Sequence, residues 1–136
     1  MGILDLFRKQ KTGYKLSGPA GRANLSPYDR KIVRERWERI TELLNGGKPS
    51  QLRQAVIESH KLLDYGLQRL CPGPSLGEKL KLSRNLFSPS IYQGLWTATK
   101  VRNSLVHESE YDPLAGICRQ AVENVKRGLE ELGVKF

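Results

Sequence analysis

Apolar side chains recur every three or four residues from Ser26 to the end of the chain, which is the spacing of one face of an α-helix. No segment shows the sustained alternation of apolar and polar residues that indicates a β-strand. Residues that cap or stop helices divide the pattern into five predicted helices with short connections. Their predicted starts are Ser26, Ser50, Ser75, Ser88 or Ser90, and Asp112. The sequence therefore predicts an all-α fold, an antiparallel up-and-down bundle of about five helices.

The chain has 136 residues, which is enough for one domain with a single core. Residues 27–136 are expected to form this helical domain, and residues 1–26 a basic, flexible tail. The tail begins with MGILDLFRKQK, in which apolar residues lie near cations as in a short amphipathic helix. A stretch with Gly, Ser and Pro follows and is typical of a linker. Weak contact with a membrane surface or a partner is one role for this tail. A mobile segment is the other, and the sequence favours it.

The formal net charge is +9, from 23 Lys and Arg against 14 Asp and Glu. This excess favours a polyanionic partner, either nucleic acid or an acidic membrane surface. No apolar run approaches the roughly 20 residues that cross a bilayer. No signal-peptide pattern occurs either, so a cytoplasmic location is expected. Cysteines and histidines lack the spacing of a metal site. We therefore expect no metal and no cofactor, with Cys71 and Cys118 as buried thiols.

The fourth predicted helix ends in KVRNSLVHE, residues 100–108, and carries an arginine within its apolar positions. A helix turns about 100° per residue, which places Arg102 within roughly 60° of each member of an apolar stripe. That stripe consists of Ile91, Leu95, Ala98, Leu105 and Val106. A second stripe, roughly 120° away by the same geometry, consists of Tyr92, Trp96, Lys100, Asn103 and His107. Its mixture of aromatic, cationic and amide groups is unusual for a face that only meets solvent.

The spacing alone leaves two interpretations of the polar residues open. In the first, Arg102 and His107 are functional, and Asn103, one turn before His107, orients the imidazole or shares its ligand. In the second, Arg102 forms a structural ion pair, and His107 is a cation favoured by the C-terminal end of the helix dipole. An arginine that faces a core needs a carboxylate partner or a shared polar interface. Glu58 and Asp64 on the second helix are the candidates.

Three further side chains, Trp96, Lys100 and His60, have both a functional and a structural interpretation. Trp96 is a candidate for stacking on a base or for filling a dimer interface, of which the interface is favoured. Lys100 is a candidate for phosphate contact, although a solvated lysine is the ordinary role. His60 is expected to be structural rather than catalytic.

The motif RNSLVH resembles the R-x4–6-H signature of the HEPN superfamily, in which a polar residue, often Asn, follows the arginine. The similarity extends to AVIESHKLLDYGL, SLGEKL and LWTATKVRNSLVHE, and it covers about residues 30–133. The motif lies late in the penultimate helix of an all-helical chain, which makes the match more specific than the spacing alone.

This resemblance implies a helical bundle that dimerises with its motif helices facing each other. It also implies a metal-independent endoribonuclease with a composite site built from both protomers. Arg102 would stabilise charge on the phosphate as the 2′-hydroxyl attacks, and His107 would act as general acid or base. Asn103 would position His107 or the phosphate. The products would be a 2′,3′-cyclic phosphate and a 5′-hydroxyl.

HEPN-like proteins are not all nucleases, so the resemblance has an alternative. The chain would then be a catalytically inert RNA-binding or dimerisation module, in which Arg102 holds the dimer together. Other members act as toxins alongside a separate antitoxin. An antitoxin or a nucleotidyltransferase-type protein is therefore a further kind of partner that the resemblance implies.

Overall fold

A computed structural model describes residues 24–136, and the amphipathic segment and linker predicted before them lie outside the described residues. Five α-helices are present between residues 24 and 136, with a short 3-10 turn at Arg84–Leu86. They are α1 (Pro27–Gly46), α2 (Pro49–Leu70), α3 (Leu76–Leu82), α4 (Pro89–His107) and α5 (Ala115–Glu131). This part of the chain contains no strand, so the predicted all-α fold is confirmed. None of these helices is long and apolar enough to cross a membrane.

The helix starts follow the capping signals closely, and the largest difference lies in the third helix. The sequence predicts a short helix from Ser75 to about Phe87, but α3 ends at Leu82. The buried Ser83 hydroxyl donates to the carbonyl of Leu80 at 3.0 Å, and the backbone then tightens into the 3-10 turn. A serine that bonds back to the preceding turn competes with the regular helical pattern. The last helix also differs slightly from the prediction. It begins at Ala115, two residues after Pro113, and not at Asp112.

Helix α2 lies at the centre of the bundle and packs against the other four helices. Gly47 links it to α1 in the left-handed conformation, with φ of 72°, and its N–H donates to the carbonyl of Leu43. Such a glycine ends a helix and reverses the chain without a steric cost. The buried residues of α2 are Leu52, Ala55, Val56, Ser59, His60, Leu62, Leu63, Gly66, Leu67 and Leu70. Two polar side chains therefore lie within the most buried helix.

Helices α4 and α5 approach each other closely at Gly128. A Cβ atom at this position would lie 2.7 Å from Cδ2 of Leu95, which is too short for a real contact. Leu95 is itself fully buried, so it has little room to move aside. The absence of a side chain at Gly128 thus sets the separation of these two helices.

The folded domain extends to Leu25, which the sequence assigned to the tail. Leu25 is 1% exposed and belongs to the core. Its N–H donates to the carbonyl of Leu132 at 2.8 Å, and its carbonyl accepts from Nη1 of Arg30 at 2.7 Å. These bonds join the segment before α1 to the end of α5.

The first turn of α1 is held by the buried carboxylate of Asp29. Ser26 caps the helix, as predicted, by accepting from the N–H of Asp29 at 3.0 Å. The carboxylate accepts from the hydroxyl of Tyr65 at 2.7 Å, from Oγ of Ser26 at 2.9 Å and from Nε of Arg69 at 3.2 Å. Burial alone would raise the pKa of Asp29, but these hydrogen bonds and the charge of Arg69 outweigh it and lower the pKa.

We expect Asp29→Asn to lower the free energy of unfolding at pH 7 by about 1–3 kcal/mol, since an amide satisfies these donors poorly. A lowered folded pKa means that the stabilisation is complete above the ordinary aspartate pKa of about 3.9 and is lost as the pH falls through the folded value. Urea unfolding of both proteins at pH 7 and pH 3 measures the difference. Glu42→Gln, at an exposed position of α1, is the control. An equal difference at both pH values would contradict the role of the ionised carboxylate.

Candidate functional site

Arg102 lines a cavity of about 280 Å³ between α2, α3 and α4, which we call the polar cavity. The side chain is half-buried, because the apolar stripe of α4 meets the cavity at this turn. The polar and charged residues that line the cavity are His60, Lys61, Asp64, Ser75, Lys79 and Arg102. The apolar residues are Ile57, Pro74 and Leu76.

The carboxylates expected to pair with Arg102 bond to lysines instead. Asp64 accepts from Nζ of Lys79 at 2.6 Å, and Glu58 accepts from Nζ of Lys61 at 3.3 Å. Among the described residues, no carboxylate lies within ion-pair distance of Arg102. The expected ion pair with Glu58 or Asp64 is therefore not formed, because each carboxylate lies next to a lysine of α2 or α3.

The side chains of the R-x4-H motif do not assemble into one site within a single subunit. Nη1 of Arg102 donates to Oδ1 of Asn103 at 3.0 Å, so the amide contacts the arginine and not His107. His107 is exposed at the last residue of α4. His107 lies five positions after Arg102, which corresponds to about 7.5 Å along the axis and about 140° around it. The two groups thus face different directions.

The two candidate substrate-binding residues differ in their surroundings. Trp96 is half-buried and makes an edge-to-face contact with Tyr92, with 6.3 Å between ring centroids. Its ring also lies beside Gly77 of α3, where a Cβ atom would be 3.9 Å away. Lys100 is exposed, and its side chain has no bonding partner among residues 24–136. Part of the Trp96 surface is therefore covered within its own subunit, whereas Lys100 is free to contact a ligand.

His60 is a member of the cavity that the sequence did not place beside Arg102. It is 2% exposed, and its Nε2 lies 3.2 Å from Oγ1 of Thr99 on α4. The Thr99 hydroxyl donates to the carbonyl of Leu95 at 2.8 Å, which leaves its oxygen free to accept from the imidazole in the tautomer that carries the proton on Nε2. Nδ1 is then a buried acceptor without a hydrogen bond.

The environment of His60 keeps it neutral. Burial lowers the pKa of His60 to about 4. The nearby backbone carbonyl of Val56 opposes this shift, Arg102 reinforces it, and Asp64 opposes it more weakly. A protonated imidazole beside Arg102 would bring two cations together in a poorly solvated site. His60 is thus a neutral wall of the cavity at pH 7.

Lys79 is the second cavity residue that the sequence missed. It is 7% exposed, which is rare for a lysine, and it reaches the cavity from α3. Lys79 lies between Leu76 and Leu80 on the helix face that meets α2. This position among apolar residues is the feature of the sequence that could have indicated its burial. Only its pairing with Asp64, fifteen residues earlier in the chain, explains the burial of its charge.

The bundle exposes apolar side chains where α4 ends and α5 begins. Val106, Leu114 and Ile117 are 48%, 78% and 45% exposed. They flank His107 in the sequence and occupy the same end of the bundle, because the loop between α4 and α5 joins them. We call these three residues the apolar end patch.

Both cysteines are buried free thiols, as predicted. Burial raises the pKa of Cys71 to about 12, and burial raises the pKa of Cys118 as well. Residues 24–136 contain no group of three or more His, Cys, Asp or Glu side chains that could hold a metal ion.

Comparison with known proteins adds no family to this geometry. The chain matches no protein-family model, no curated protein sequence and no solved structure. The site is therefore described from its own residues.

We expect acid to destabilise the protein through His60. Its folded pKa of about 4 lies below the ordinary 6.5. The unfolded chain therefore binds a proton first as the pH falls, and stability is lost between these values. The loss attributable to His60 between pH 7 and pH 4.5 should be about 2–3 kcal/mol. Urea unfolding at both pH values should show this loss in the wild type but not in His60→Gln. An equal pH dependence in the two proteins would refute a buried neutral His60.

Proposed function

We propose that this protein is a homodimeric, metal-independent endoribonuclease of HEPN type that acts in the cytoplasm. It would cleave RNA by attack of a 2′-hydroxyl, leaving a 2′,3′-cyclic phosphate. One observation carries the proposal. Arg102 lines a cavity without a carboxylate partner, and Asn103 and His107 are exposed on the same end of α4. A cation in a concave site without a neutralising group is suited to a phosphate.

Each motif residue has a role consistent with its contacts. The guanidinium of Arg102, oriented by Asn103, would stabilise the charge that develops on the phosphate. His107 meets solvent and would exchange protons with the 2′-hydroxyl or the leaving 5′-oxygen. Lys100, also exposed, would bind a neighbouring phosphate of the RNA.

A dimer supplies what one subunit lacks. Arg102 and His107 face different directions in the monomer, so a site that uses both needs a second copy of α4. The apolar end patch gives a reason for association, because exposed apolar side chains beside a polar site are typical of interfaces. A two-fold axis near this patch would bring two copies of His107 towards two copies of Arg102.

An inert RNA-binding or dimerisation module is the second candidate. The hydrogen bond between Arg102 and Asn103 favours this candidate. Because the Asn103 side chain bonds to Arg102, it does not orient His107. Both candidates share the RNA surface and the dimer, and they differ only in cleavage.

We expect purified protein to cleave single-stranded RNA in the presence of EDTA. Arg102→Ala should reduce the rate by about 10²–10³-fold through loss of charge stabilisation. His107→Ala should reduce it by about 10²–10⁴-fold through loss of proton transfer. Arg127→Ala, which removes an exposed arginine paired with Glu123 on α5, is the matched control. Intact RNA with the wild type, or equal rates in all four proteins, would favour the inert module.

We also expect Ile117→Asp to dissociate the dimer while leaving the monomer folded. A carboxylate buried in an apolar interface weakens association by about tenfold or more. Light scattering after size-exclusion chromatography measures the mass, and circular dichroism checks the fold. Tyr28→Asp replaces an exposed aromatic at the first turn of α1 and should leave the mass unchanged. A wild-type monomer at micromolar concentration would contradict the dimer.

A further inference from the structure

Lys79 carries a buried charge with unused hydrogen-bonding capacity. Its side chain is 9% exposed, and its ammonium has three N–H groups. Asp64 accepts one of them at 2.6 Å, and no other described residue forms a hydrogen bond with the remaining two. A buried donor without an acceptor is unfavourable, so the ammonium is suited to a second acceptor in the cavity.

Arg102 adds a second cation whose capacity is also largely unused. Its guanidinium has five N–H groups, and Asn103 takes one of them. The lining of the polar cavity thus holds three cations, Lys61, Lys79 and Arg102, against the single carboxylate of Asp64, a difference of +2. Lys61 is exposed at the rim and also contacts Glu58 outside the lining. An excess of one positive charge remains even when that pair is counted as neutral.

The size and walls of the cavity are consistent with an ester rather than a bare ion. Its volume of about 280 Å³ is many times the share of one water molecule, about 30 Å³, and lies near the lower end of ligand pockets. Ile57, Pro74 and Leu76 add apolar surface to its lining. A ligand with an anionic head and a less polar body would satisfy both parts.

We infer that the polar cavity binds a phosphate monoester, with Arg102 and Lys79 holding the phosphate oxygens. The planar fork of arginine matches phosphate geometry, and an ammonium supplies a second, compact charge. A phosphate monoester carries about −1.5 to −2 at neutral pH, which matches the difference of +2 among the lining residues themselves better than the single charge of a carboxylate or a phosphodiester does. The ester is either a free nucleoside monophosphate or the 5′-phosphate end of an RNA. Binding requires neither a second subunit nor cleavage, so the inference extends beyond the proposed function.

Calorimetric titration of the full chain with inorganic phosphate and with AMP tests the site, and NMR mapping locates it. Both ligands should bind and should shift the amides of residues 60–64, 75–79 and 99–103. Two 2′-O-methyl oligonucleotides that differ only in a 5′-phosphate or a 5′-hydroxyl distinguish the sources. If the protein binds the 5′-phosphorylated oligonucleotide more tightly than AMP, the ligand is the 5′ end of an RNA. Equal binding of AMP and the phosphorylated oligonucleotide identifies the free ester.

Variants decide whether the named residues hold the phosphate. Lys79→Met and Arg102→Gln should each weaken binding by about tenfold or more, and Asp64→Asn should tighten it by about threefold, because it removes the one repelling charge. Lys81→Gln, an exposed lysine on α3, should change the affinity less than twofold. His107→Ala should retain phosphate binding even where RNA cleavage is lost, which separates the two proposals. No binding at millimolar phosphate, or equal affinity in Lys79→Met, Arg102→Gln and Lys81→Gln, would overturn the inference.

Discussion

The close contact between Gly128 and Leu95 is the constraint on which the arrangement of the site depends. It brings α5 against α4, and the carbonyl of Leu95 then accepts the hydroxyl of Thr99 one turn later. Thr99 in turn accepts from His60 on α2. One line of contacts therefore fixes α4 relative to both of its neighbours. Arg102 follows Thr99 by three residues, so its approach to the polar cavity is a consequence of helix packing and not of any bond of its own.

Electrostatic pairing inside the cavity separates residues that hold the fold from those available to a ligand. Asp64 forms an ion pair with the buried Lys79, and burial keeps His60 neutral. Arg102 needs no such partner because it is only half-buried and retains solvent. A guanidinium cannot lose its proton at any ordinary pH, so its charge persists in the cavity. The site thus combines a fixed charge with a structural ion pair.

Capping residues and the spacing of apolar side chains predicted the helices. They did not predict which side chains of different helices contact each other. Ser26 and Ser75 mark helix starts through caps that act within four residues, and the structure places helices there. Helix α4 also begins after Ser88, although the Ser88 side chain forms no cap bond and lies near Glu131 of α5 instead. Neither candidate partner of Arg102, Glu58 or Asp64, pairs with it, because tertiary packing places a lysine next to each carboxylate. His60 and Lys79 were missed for the same reason. Spacing gives the face of a helix, but it does not give the residue on the opposite helix.

The backbone hydrogen bond between Leu25 and Leu132 fixes where Leu25 lies on the bundle. Leu132 lies at the end of α5 opposite its start, and the seventeen residues of that helix span about 25 Å. Leu25 therefore lies at the pole of the bundle remote from His107 and the apolar end patch. The contact that closes the bundle at Leu25 and the surface proposed for association thus occupy opposite ends of α5, so a change at one end does not directly disturb the packing at the other.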